Sequence, residues 1–123
     1  MVSTPDIFSP PTSRLSADTV DPSGSDAASP AVGTAWGLSL HHELWLMVNK
    51  CGFTPQEALH SATVLPPKRL RFSDWEEVGE IKEGLRADLV LVEGNPLEDI
   101  SNTLNLRGIW REGVLAKRFV GQV

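Results

Sequence analysis

Three histidines, His41, His42 and His60, are the first residues to test for metal chemistry. His41 and His42 are neighbours, so on a helix their side chains diverge by ~100° and are badly placed to share one ion. His42-Glu43 opens the His-Glu-x-x-His pattern of zinc proteases, but Leu46 stands where the second histidine must be. No His-x-His pair and no paired cysteines occur. The ordinary reading of His42 and His60 is a place on a helix surface. No Gly-x-Ser-x-Gly elbow is present to activate a serine, and no glycine-rich phosphate loop occurs. Cys51, the sole cysteine, falls on an apolar helical stripe, which predicts a buried structural thiol. Lys68, Arg69 and Arg71 form a basic cluster that reads first as a solvated helix end and second as an anion site.

The elements that would have to position such groups follow from periodicity and punctuation. Residues 1–32 are rich in Ser, Pro, Asp, Thr and Ala, with Pro5, Pro10, Pro11, Pro22 and Pro30 spaced too closely for a helix or a central strand. They are expected to form a disordered or loosely attached arm. Residues 33–123 form the folding region. Leu40, Leu44, Met47, Val48 and Cys51 make one amphipathic stripe, predicting a helix over 39–51 with Ser39 as N-cap and Gly52 just past the end. Thr54-Pro55-Gln56-Glu57 is a capping box with proline at the first helical position, predicting a second helix over 54–65. Its small-residue face is Ala58, Leu59, Ala62 and Thr63. Pro66-Pro67 ends it, with room for one more short turn through Leu70.

The stretch from Gly79 to Pro96 holds the run Leu89-Val90-Leu91-Val92, whose lack of alternation predicts a strand covered on both faces. Strands are expected at about 79–82, 87–92, 106–111 and 114–119, with Glu112-Gly113 as a hairpin turn. Two helices followed by strands give an α+β class.

Charge and length exclude several functions. Eleven basic against sixteen acidic residues give a net charge of −5, which argues against a nucleic-acid partner. One cysteine permits no intrachain disulfide. No apolar run approaches the ~20 residues of a membrane span, and the N-terminus has no apolar signal segment, so a cytoplasmic location is the default expectation.

The wording of the chain goes further than its periodicity. Gly24-Ser25-Asp26-Ala27, then Val32-Gly33-Thr34-Ala35-Trp36-Gly37-Leu38-Ser39-Leu40-His41-His42-Glu43-Leu44, resembles the last barrel segment of the amidohydrolase superfamily. Thr54-Pro55-Gln56-Glu57-Ala58-Leu59 and Ser61-Ala62-Thr63 resemble its following helix. Ala87-Asp88-Leu89-Val90-Leu91 and Gly94-Asn95-Pro96-Leu97-Glu98-Asp99-Ile100 resemble its closing strands. The likeness is strongest to the branch of prolidase-like and imidazolonepropionase-like enzymes.

The resemblance implies a fold: the last helices of a (β/α)8 metal-dependent hydrolase barrel plus strands of its small β-sandwich domain. It implies hydrolysis of amide or cyclic-amide C–N bonds at a divalent metal, zinc first among them, which lowers the pKa of a bound water. By motif match, Asp26 would ligate the metal and accept the proton from that water, and His41 would lie at the substrate pocket's rim. The family's His-x-His pair, bridging lysine and two further histidines have no equivalent here, and one aspartate falls short of the three protein ligands of a catalytic zinc. The expectation is therefore a C-terminal portion that binds no metal and hydrolyses nothing alone. The alternative is a non-catalytic remnant or interaction module. The expected partners are a small amide-type substrate if active, and otherwise a second copy or the missing barrel portion.

Overall fold

The computed structural model describes residues 35, 37–70 and 78–122. The expected arm over 1–32 and the candidate Asp26 lie outside the described residues, as do Arg71 and Trp75. Among the described residues the order is α1 (Leu38–Asn49), α2 (Pro55–Thr63), α3 (Leu65–Leu70), β1 (Leu89–Val92), a 3-10 helix (Ile100–Leu104), β2 (Leu106–Arg111), β3 (Val114–Leu115) and a 3-10 turn (Lys117–Phe119).

Helix α1 begins one residue before the expected start, and Ser39 is not its cap. The N-cap is Gly37, with φ 77° and no side-chain bond. Ser39 lies inside the first turn, where its Oγ accepts the Ala35 N–H at 2.8 Å. Ser39 N–H in turn donates to the Ala35 carbonyl at 3.0 Å. The helix stops at Asn49, where Lys50 and Cys51 N–H both turn back to the Leu46 carbonyl, at 2.8 and 3.1 Å. Cys51 is consequently exposed, not buried as its place on the stripe predicted. The stripe loses its last member because the helix ends two residues early.

Helix α2 has the predicted start. The Thr54 hydroxyl accepts Glu57 N–H at 3.2 Å, and the Glu57 carboxylate accepts Thr54 N–H at 2.8 Å. Both partners of the box are present, so two N–H groups with no helical acceptor are satisfied. Its buried face differs by one position from the expected one: Ala58 and Ser61 are fully buried, whereas Thr63 is exposed. Ser61 tolerates burial because its hydroxyl donates to the Ala58 carbonyl at 2.7 Å. Helix α2 ends at Thr63, two residues before the expected end, and the extra turn through Leu70 exists as α3, which begins at Leu65 and carries Pro66 and Pro67 in its first turn.

These helices share a small core. Leu44 of α1, Ala58 of α2 and Ile100 of the first 3-10 helix are buried together, with Met47, Val48, Leu59 and Ala62 packed against them. Ile100 connects the helical half to the strands.

The strands form one antiparallel sheet in the order β1-β2-β3. Leu89 pairs with Trp110 and Val90 with Ile109, and Trp110 pairs on its other side with Leu115. Three expectations fail. Strand β1 is not covered on both faces: it stands at the sheet edge, with Val90 60% and Leu91 44% exposed. No strand occurs over 79–82, where Ile81 is 91% exposed. Gly79 is instead pressed against the preceding helices; a Cβ there would lie 2.5 Å from the Thr63 carbonyl oxygen and 2.9 Å from Pro67 Cγ. The last strand ends at Leu115, because the chain leaves the ladder to bury Phe119, which is 3% exposed.

The hairpin at Glu112-Gly113 is as predicted, with φ of 51° and 79°. Two successive positive φ values give the twist that joins adjacent antiparallel strands without splaying them.

Candidate functional site

The first two turns of α1, through Leu38, Ser39, His41, His42 and Trp45, and the first 3-10 helix, through Ser101 and Leu104, wall an open groove of about 570 Å3, with Ala35 at its edge. Its apolar lining is Leu38, Trp45 and Leu104, which are 56%, 36% and 50% exposed. His41 and Ser101 supply polar groups to it. His41 is half-buried, and its Nδ1 is enclosed with no hydrogen-bond partner among the described residues. His41, which the sequence named for a substrate pocket's rim, is thus one of the groove's lining residues. His42, next in sequence, is exposed and lies parallel to the Trp45 ring, at 6.1 Å between centroids and 9° between planes. The two histidines diverge as adjacent helical positions must, His41 half-buried and His42 exposed, yet both line the groove.

Among the described residues, no three His, Cys, Asp or Glu side chains come together to hold a metal ion. His60 is exposed on α2. The described residues thus do not fit a catalytic metal, which needs three protein ligands and an open position. Asp26, the carboxylate named for that role, lies outside them.

Of the basic cluster, Lys68 and Arg69 are exposed in the last turn of α3, and Arg71 lies outside the described residues. Lys68 Nζ pairs with Glu80 Oε1 at 2.5 Å, both side chains well exposed. That hydrogen bond, aided by the ammonium charge, holds the Glu80 carboxyl below its usual range.

Sequence reasoning missed the residues that fix the loops around the sheet. Asp88 accepts Glu112 N–H on Oδ1 at 2.7 Å and takes Arg86 Nη2 and Nε on Oδ2 at 2.7 and 3.0 Å. The backbone bond from Glu112 comes first in lowering the Asp88 pKa, and the Arg86 guanidinium second. Asn102 Nδ2 donates to the Asn95 carbonyl at 3.1 Å, across a gap narrow enough to require Gly94. The only signal in the chain for these contacts was the polar residues flanking β1, which also read as ordinary turn formers.

The model of the amidohydrolase family matches residues 15–120. The chain belongs to this family. This amidohydrolase-family chain is 35% identical over 87 residues to ochratoxinase of Aspergillus niger, a match covering 68% of the chain and 18% of that enzyme. A crystal structure of a Xaa-Pro dipeptidase with bound methionine in the active site superposes with TM-score 0.60 at 35% identity, over 68% of the chain and 20% of the dipeptidase. Molinate hydrolase superposes with TM-score 0.60 at 31% identity, over 68% of the chain and 17% of that structure. The chain thus spans about a fifth of the length of these relatives. A small α+β unit of this extent is what a portion of such a fold should look like.

No described helix is long and apolar enough to cross a membrane.

Proposed function

We propose that the chain is the C-terminal portion of a metal-dependent hydrolase acting on small amide-type C–N bonds, and that it has no turnover without the remaining portion of the fold. The observation that carries this reading is the family match over residues 15–120 combined with coverage of only 18% of a relative's length. The substrate class draws support from relatives whose names include a Xaa-Pro dipeptidase and a phenylurea hydrolase. In this reading Asp26 contributes one metal-binding carboxylate, with zinc as the first candidate ion, and His41 lies near the substrate. The other ligands come from the remaining barrel.

The test is metal content after reconstitution with zinc or manganese, together with hydrolysis of Xaa-Pro dipeptides. The expected result for the 123-residue chain alone is sub-stoichiometric metal and no turnover that Asp26→Asn removes. Stoichiometric zinc with Asp26-dependent hydrolysis would show that the chain is an enzyme by itself.

A second reading, an interaction module, is favoured by exposed apolar side chains on both halves, among them Leu46 on α1 and Val90 and Val114 on the sheet. Burying such surface is worth ~25 cal/mol per Å2, so faces of this kind seek cover. The cover would be a second copy or the rest of the barrel. Light scattering across a dilution series reads it; a monomer at all concentrations that does not bind a separately expressed barrel portion would remove this reading.

A further inference from the structure

Opposite β1, the sheet's second edge is β3. The turn at Glu112-Gly113 has two residues, so Arg111 and Val114 are the bonded pair that closes it. Ala116 N–H reaches back to the Ile109 carbonyl at 2.8 Å. Leu115 lies between these inward-bonded residues, and the alternation of an antiparallel ladder turns its N–H and C=O outward. Among the described residues no further strand receives them. An open cavity of about 550 Å3 lies along this edge. Ile109, Val114 and Ala116 give it an apolar floor, with Arg111 and Lys117 at its sides. Val114 is 71% exposed and the Arg111 side chain 87%. Glu112, the one carboxylate in the lining, stands 3.9 Å from Arg111 Nε, too far for a hydrogen bond. Lys117 is exposed and forms no ion pair among the described residues. Next to it, the Arg118 guanidinium lies over the Phe119 ring, 4.8 Å from its centroid. Residues 101–123 hold four basic side chains against one acidic, whereas residues 1–100 hold seven against fifteen. This edge is thus a cationic end on an acidic chain.

We propose that the β3 edge is a docking site for an extended acidic peptide segment of a partner protein, added to the sheet as a fourth strand. Its main chain bonds the outward N–H and C=O of Leu115, as strand addition to an open edge does. Side chains two apart in an extended segment share a face. An aliphatic side chain therefore lies over Ile109, Val114 and Ala116, and the carboxylates two residues before and after it meet Arg111 and Lys117. The pattern read is acidic-x-aliphatic-x-acidic. Burial of the apolar floor and the backbone bonds supply affinity. The cations choose the partner and speed its approach, since exposed ion pairs alone are weak. The site is on a different element from the groove of α1 and does not depend on hydrolysis.

The test is fluorescence anisotropy of a labelled peptide, Glu-Thr-Val-Thr-Glu with blocked ends, titrated with the full 123-residue chain. Saturable binding that weakens with added salt is expected. Arg111→Glu combined with Lys117→Glu should weaken it by roughly tenfold or more. Both side chains are exposed, so circular dichroism of this variant should match the wild type. Lys82→Glu, which makes a similar charge change outside the sheet, should leave binding unchanged. The peptide N-methylated at both threonines keeps its charges but loses main-chain donors, and it should bind far more weakly. Absence of saturable binding overturns the proposal. So does equal binding by the Arg111→Glu, Lys117→Glu variant, or by Lys-Thr-Val-Thr-Lys. Undiminished binding of the N-methylated peptide would show charge attraction without strand addition, and overturns it as well.

Discussion

The Asp88 carboxylate accepts the main-chain N–H of Glu112 at 2.7 Å, across twenty-four residues of sequence. Glu112 is the one described non-glycine residue with positive φ, at 51°. The conformation is disfavoured for a residue with a Cβ, and the bond from Asp88 holds it in place. Gly113 N–H donates to the neighbouring Ala87 carbonyl at 2.9 Å, so both turn residues are tied to the approach to β1. Asp88→Asn should lower the denaturant midpoint by weakening the bond and removing the Arg86 pair. The Asp88 pKa is lowered on folding. A depressed folded pKa means that its contribution is complete above the unfolded carboxylate value and disappears as pH falls through the lower folded one. The gap in midpoint between wild type and Asp88→Asn should therefore be constant near neutrality and shrink below about pH 4, as urea titrations at several pH values would show.

Glu112→Asn should stabilise the chain by roughly 0.5–1 kcal/mol, because asparagine tolerates left-handed backbone at lower cost. Thermal or chemical unfolding measures it. Destabilisation would mean that the Glu112 side chain contributes more than its strained backbone costs.

Gly79 and Gly113 both have positive φ, but only Gly79 is hemmed in by other atoms. Gly113→Ala should cost about 1–2 kcal/mol from backbone conformation alone. Gly79→Ala should cost more, since its new methyl group must displace the Thr63 carbonyl. Equal losses would show that the close approach at Gly79 relaxes freely.

Thr54→Ala removes the side-chain half of the capping box and should destabilise by about 1 kcal/mol. Thr54→Ser should restore most of it. Circular dichroism during urea unfolding would detect both.

Leu44→Ala opens a hole among Ala58 and Ile100 and should cost about 2–5 kcal/mol. In so small a core that loss approaches the whole stability of a domain, and the variant should populate the unfolded state at room temperature.

Local grammar in the sequence was legible wherever a feature is completed by near neighbours. Thr54 and Glu57 need only each other, and Glu112-Gly113 needs only two φ angles. The third short helix followed from Pro66-Pro67. Features decided at long range were not legible. The end of α1 is a local feature that was also missed: Cys51 was placed on a stripe that the helix does not reach, because Lys50 and Cys51 both turn back to Leu46 with no residue type there to signal it. Gly79 read as strand punctuation, whereas its lack of a Cβ serves contact with Thr63 and Pro67. Phe119 read as strand, but burial drew it out of the ladder. Of the candidate site, both residues were named from the family's wording and not from spacing: His41 lines a groove, and Asp26 is outside the described residues.

Strand β1 ends the sheet on one side with two exposed aliphatic side chains, Val90 and Leu91. A border of that kind offers an unpaired row of peptide groups to any extended segment that drifts past, including the same strand of a sister molecule. The run Leu89-Val90-Leu91-Val92 itself has no charge and no proline, and the charges that flank it as gatekeepers, Asp88 and Glu93, are both engaged in ion pairs, with Arg86 and Arg107. Produced by itself at high concentration, the polypeptide should thus be limited first by sheet-to-sheet aggregation, before any loss of its helical core.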